Sequence, residues 1–173
     1  MSELSRFEPQ EILVRLVEAN VRFVVIGGLA AQVHGSPSLT RDLDICFSRD
    51  RENLAALAGV LEDIVAIRRG LPPDAPRMPA LDARTLRASS LFTLTTRFGD
   101  FDLLASPDPG FNFDTLDQSA AHAPVFGVDV RVAGLDDLMA MKRAAGRPKD
   151  RIELEILGAL REEIDKRGRR AKA

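Results

Sequence analysis

The chain contains no tryptophan and no tyrosine, and its only cysteine is Cys46. A lone cysteine forbids an internal disulfide and fits a reducing compartment. Long apolar runs are missing too: no segment approaches the roughly 20 apolar residues needed to cross a bilayer. Met1-Ser2-Glu3 lacks the basic start and apolar core of a signal peptide. The expectation is a cytoplasmic protein without membrane association. Charge of one sign is also lacking, because 24 Lys and Arg against 26 Asp and Glu leave a net charge of -2. No global basic field therefore points to nucleic acid. Basic residues gather locally, between Lys142 and Arg151 and again in Lys166-Arg167-Gly168-Arg169-Arg170. The tail over 166–173 is expected to be a solvated, disordered end.

What is present is ordinary for a globular protein, with 45% apolar and 29% charged residues. A length of 173 residues predicts one domain over 1–173 with a real core. Pro9 to Asn20 reads as an opening helix with Ile12, Leu13, Leu16 and Val17 at helical spacing. Arg22 to Ile26 reads as a buried strand, Leu29 to His34 as a short helix closed by Gly35, and Asp42 to Phe47 as a second strand. A helix over Asp50 to Leu61 is expected, capped by Asp50 or Ser48. The Pro-rich stretch at about 65–80 predicts an irregular insertion. A short helix over Leu81 to Ala88 precedes a hairpin of Leu91 to Arg97 and Phe101 to Ala105, turning at Gly99-Asp100. Phe113 to Ala121 reads as helix, Val128 to Val132 as strand, Leu135 to Ala144 as a helix ending at Gly146, and Pro148 as the start of a long final helix. The order predicts an α/β (α+β) fold, a short mixed sheet with helices packed on it.

The chemistry concentrates in Val24-Val25-Ile26-Gly27-Gly28-Leu29-Ala30-Ala31-Gln32-Val33-His34-Gly35 and Thr40-Arg41-Asp42-Leu43-Asp44-Ile45. Glycines let a backbone approach a phosphate closely, and a helix starting near Leu29 aims unpaired N–H groups at the turn. Asp42 and Asp44 alternate with apolar residues, so both carboxylates project from one face of a strand while Leu43, Ile45 and Phe47 enter the core. Carboxylates that close repel unless a cation lies between them, and Mg2+ (or Mn2+) takes hard oxygen ligands of this kind beside substrate phosphates. Taken singly, the glycines also suit any strand-to-helix turn, and the acids suit a solvated strand end with Arg41 as counter-ion.

Together these residues resemble the signature of the DNA-polymerase-beta-like nucleotidyltransferase superfamily: Gly-Gly or Gly-Ser, a spacer, then Asp-x-Asp in a strand. Leu138-Met139-Ala140-Met141-Lys142-Arg143-Ala144-Ala145-Gly146-Arg147-Pro148-Lys149-Asp150 is similar to a pattern in small bacterial nucleotidyltransferases, some of which serve in toxin–antitoxin pairs. The resemblance implies the nucleotidyltransferase fold and NTP, for instance ATP, as substrate. It implies transfer of a nucleoside monophosphate to an acceptor hydroxyl on RNA such as tRNA, on protein or on a small molecule. It also implies a third acid on a neighbouring strand, for which Asp102 is preferred over Asp100. Asp42, Asp44 and Asp102 would then be catalytic and hold metal. Gly27, Gly28 and Lys142 would meet the triphosphate, with Asp150 orienting Lys142 or Arg147. Where many relatives carry serine this chain has Gly28, so backbone donors would replace a hydroxyl. His34 is expected to be structural and Cys46 a small buried hydrophobe. With Tyr and Trp absent, any base stacking falls to Phe or Arg. A non-catalytic nucleotide- or partner-binding member of the same fold, for instance one half of a toxin–antitoxin pair, is the alternative, as are a nucleic-acid-binding module using the C-terminal basic cluster and a solvated basic turn at 142–151.

Overall fold

The computed structural model describes residues 7–70, 80–108 and 110–170. Pro9 opens α1 (Pro9–Glu18), which buries Ile12, Leu13 and Leu16. The chain enters β1 (Phe23–Ile26), buried at every position, and passes at once into α2 (Gly27–Val33). β2 (Asp42–Phe47) follows, then α3 (Arg51–Asp63). Asp50 caps α3 by accepting from the Asn53 amide at 2.9 Å, and the Ser48 hydroxyl donates to Asp50. The bond from Asn53 and the bond from Ser48 hold the Asp50 carboxyl well below the usual carboxylate range.

Within the Pro-rich stretch, Ile67–Arg68 forms a short strand, β3; residues 71–79, where the insertion is expected, lie outside the described residues. Asp82 caps α4 (Ala83–Ala88), which leads to β4 (Leu91–Thr96) and β5 (Gly99–Leu104). The hairpin turns at Arg97-Phe98 instead of Gly99-Asp100, because Gly99 pairs with Thr96. The Thr96 hydroxyl fixes that turn, donating to the Gly99 carbonyl at 2.8 Å and accepting from the Phe98 amide at 3.0 Å. Asp100 thus lies within the strand. α5 (Phe113–Ser119) is shorter than expected, because Ala121 begins another strand, β6 (Ala121–Val125), which pairs with β7 (Val128–Val132). α6 (Leu135–Ala145) ends on left-handed Gly146 at φ +63. α7 (Pro148–Arg170) stays helical through Lys166 to Arg170, where a frayed tail is expected; residues 171–173 lie outside the described set.

The seven strands form one mixed sheet in the order β3-β4-β5-β2-β1-β7-β6. β2 is antiparallel to β1 and parallel to β5. The core lies beneath this sheet, with Leu43, Ile45, Phe47, Phe101 and Leu103 all buried. β2 and β5 are in register, Asp42 opposite Asp100 and Asp44 opposite Asp102. Among the described residues no helix is long and apolar enough to cross a membrane.

Candidate active site

Period-two alternation in β2 and β5 decides which side chains reach the surface. β2 buries Leu43, Ile45 and Phe47 and β5 buries Phe101 and Leu103, leaving Asp42, Asp44, Asp100 and Asp102 half-buried on the opposite face. Asp42, Asp44 and Asp102 each offer a carboxylate oxygen, and these oxygens lie within 4.8 Å of one another. Burial pushes the Asp44 carboxyl up to about 7, helped by the charges of Asp42 and then Asp102, while Lys142 and Lys149 pull the other way. Burial also raises Asp102, against the opposing charge of Arg69. Three acids crowded this closely, with one driven toward neutrality, are short of positive charge, and their hard oxygens suit a divalent cation.

The glycine pair makes the crowding possible. Gly27 has φ +66, and a Cβ there would stand 2.2 Å from Asp44 Oδ2. At Gly28 a Cβ would meet the Thr40 side chain at 2.7 Å. The Thr40 hydroxyl in turn donates to Asp42 Oδ1. α2 starts on Gly27 itself, two residues before the expected Leu29. Each glycine therefore leaves room for an acid or for the residue that steadies one.

The α6–α7 turn closes the other side. Asp150 is 1% exposed at its side chain and accepts from Arg147 Nε at 2.7 Å, with Lys142 Nζ at 3.8 Å. Lys142 also pairs with Glu153 at 2.8 Å. Burial raises the Asp150 carboxyl, but bonds from the Arg147 side chain and backbone outweigh it, so the group stands below the ordinary value. Asp150 thus holds the Arg147 side chain, while Lys142 lies closer to Glu153. A cleft of about 620 Å³ is lined by Gly27, Gly28, Asp42, Asp44, Asp102, Lys142, Arg147 and Asp150 together. Every site residue expected from the sequence lies on it.

The polypeptide path is similar to that of known enzymes. Lincosamide antibiotic adenylyltransferase LnuA, in its lincomycin-bound structure, superposes with a TM-score of 0.56 at 17% identity, covering 92% of this chain and 98% of its own. ANT(2")-Ia, in complex with adenylyl-2"-tobramycin, superposes with a TM-score of 0.55 at 16% identity, covering 92% and 95%. The fold is that of the nucleotidyltransferases. No family model and no curated protein sequence matches the chain.

On this nucleotidyltransferase fold, residues that sequence reasoning missed stand in the cleft, Glu153 beside Lys142 among them. Thr40, next to the noted Arg41, contacts Asp42 and packs on Gly28. Its place two residues before the first acid is the only signal for it. Arg69 reaches Asp102 Oδ1 at 2.7 Å and Asp100 Oδ2 at 3.3 Å. No spacing in the sequence connects it to them. Outside the cleft, His34 Nε2 lies 2.8 Å from the Ala133 carbonyl, and Cys46 is buried as expected, its thiol pushed up to about 12 by burial and then by Asp114.

Proposed function

We propose that the chain is a metal-dependent nucleotidyltransferase that moves a nucleoside monophosphate from an NTP to an acceptor hydroxyl and releases pyrophosphate. The observation carrying this reading is the convergence of Asp42, Asp44 and Asp102 within 4.8 Å, in one cleft with the glycine pair and Lys142. The crowded carboxylates fit Mg2+ or Mn2+, which Asp42, Asp44 and Asp102 would hold. Such ions, when bound, neutralise triphosphate charge and lower the pKa of the attacking hydroxyl. Gly27 and Gly28 admit the phosphates beside Asp44. Lys142, steered by Asp150 and Glu153, supplies a point charge to them. In the reaction the acceptor hydroxyl gives up its proton to solvent and its oxygen bonds to the α-phosphorus as the bridge to the β-phosphate breaks, the electron pair leaving with pyrophosphate. Positioning and charge neutralisation carry most of such catalysis.

The two antibiotic adenylyltransferases favour a small-molecule acceptor, while the basic residues at the α6–α7 turn favour RNA such as a tRNA end. A role in a toxin–antitoxin pair, with the cognate protein as partner, rests on the resemblance of residues 138–150 alone. Incubation with each labelled NTP, Mg2+ and a cell extract, followed by identification of the labelled species, tests the reading. Asp44→Asn should abolish labelling. Lys142→Ala should weaken ATP binding about ten- to hundredfold, the equivalent of a lost charge-assisted bond. Labelling that survives in Asp44→Asn refutes the assignment.

A further inference from the structure

The three acids are not supported alike. Asp42 is steadied by the Thr40 hydroxyl, and Asp44 accepts no hydrogen bond from any described residue, but Asp102 is gripped by a cation. Arg69 follows β3, and its amide donates to the Thr93 carbonyl on β4 at 2.9 Å. From there its guanidinium crosses the edge of the sheet. Nη2 donates to the Leu94 carbonyl at 3.0 Å and to Asp102 Oδ1 at 2.7 Å, and Nε stands 3.3 Å from Asp100 Oδ2. Nη2 ties the group to backbone on one side and to Asp102 on the other, with Asp100 a looser ion-pair neighbour of Nε, and the group lines the same cleft.

We infer that Arg69 is a positioning residue for Asp102. It claims one carboxylate oxygen and fixes the rotamer, leaving the other oxygen for a cation shared with Asp42 and Asp44. The planar guanidinium suits this, because a fork of donors fixes an orientation that a single ammonium does not. Asp100, which accepts from the Thr95 hydroxyl at 2.9 Å, adds its negative charge 3.3 Å from Nε and so favours the same guanidinium position. The inference rests on the nucleotidyltransferase reading and adds a residue to its machinery.

Mn2+ counted by electron paramagnetic resonance, with a non-hydrolysable ATP analogue present, tests it without needing the acceptor. Asp42 and Asp44 with the triphosphate would hold one ion and all three acids a second, so wild type should bind two Mn2+ per chain. Arg69→Met should keep the tighter ion and the analogue affinity, and bind the second ion about ten- to hundredfold more weakly, the equivalent of a lost charge-assisted bond. Arg69→Lys should recover part of that loss, which a purely structural role would not predict. It also carries the test if Arg69→Met does not fold, since it keeps the charge and loses the fork. Two ions bound with unchanged affinity in the variants overturn the role. A tighter second ion in Arg69→Met also overturns it, by making Arg69 a competitor of the metal, and weakened analogue binding makes it a phosphate contact instead. Wild type that binds no Mn2+ with the analogue sinks the metal reading itself, and the Arg69 role with it.

Discussion

In the absence of metal, raising the pH from 4 to 8 should destabilise this protein through Asp44. Its carboxyl is ordinarily half-ionised at 3.8, and in the folded chain that point moves up to about 7 through burial and the charges of Asp42 and Asp102. Between those two values the unfolded chain has released this proton and the folded chain retains it. Folding then takes up a proton, so the unfolding free energy falls as pH rises. At about 1.4 kcal/mol per pH unit, the window from 3.8 to about 7 amounts to about 4 kcal/mol as a ceiling. The effect is fully developed above pH 7 and absent below 3.8. Urea denaturation of wild type and Asp44→Asn in EDTA, at steps across this range, isolates it, because other titrating groups are largely common to both proteins. The variant should gain on wild type steadily with pH, and Mn2+ with an ATP analogue should reverse the order by stabilising only wild type. Stability curves that run parallel from pH 4 to 8 would refute the claim that Asp44 sits uncompensated among its neighbours.

Two further perturbations bear on the support of the site. Gly27→Ala puts a side chain at φ +66 and within 2.2 Å of Asp44 Oδ2, so a loss of at least about 1 kcal/mol is expected from the backbone alone. Mn2+ binding should fall with it, and a variant that melts and binds like wild type would remove the close-approach argument. Asp150→Ala removes the partner of half-exposed Arg147 and the more distant of the two acids beside Lys142, Glu153 remaining at 2.8 Å, and should cost about 1.5 kcal/mol, the lower end for a charge-assisted hydrogen bond. Chemical denaturation checks the stability and an ATP-analogue titration checks the loosened Lys142; a cost below about 1 kcal/mol would make the turn a solvated surface.

The acids were legible because their signal is local. Asp42 and Asp44 share a face by strand periodicity, and Asp102 is the one acid flanked by Phe101 and Leu103, both buried. β6 was not legible: Ala121-His122-Ala123-Pro124-Val125 lacks the β-branched alternation of a strand, and its place is set by pairing with β7. The turn between them has Phe126 at φ +48 and Gly127 at φ +79. Such turns usually announce themselves with Asn-Gly or Gly-Gly, and Phe126 conceals this one. Arg69 was hidden for a different reason. It stands 33 positions from Asp102, in a stretch whose prolines suggest no regular structure, so only the β3–β4 pairing brings it to the cleft.

The pairing of Asp44 with Asp102 across parallel β2 and β5 has a consequence for the size of the site. Neighbouring strands lie about 4.8 Å apart, and residues two apart on one strand about 6.6 Å. Short aspartate side chains can close those intervals onto one ion. Glutamate at any of the three positions adds a methylene and carries its oxygens past the meeting point, so the chemically mild exchange of Asp for Glu is geometrically severe here. The backbone hydrogen-bond ladder is thus the ruler of this cluster. No side-chain replacement resets a ruler; only sliding one strand along another does, and a slip of one residue would turn Asp102 into the core and Phe101 out into the cleft.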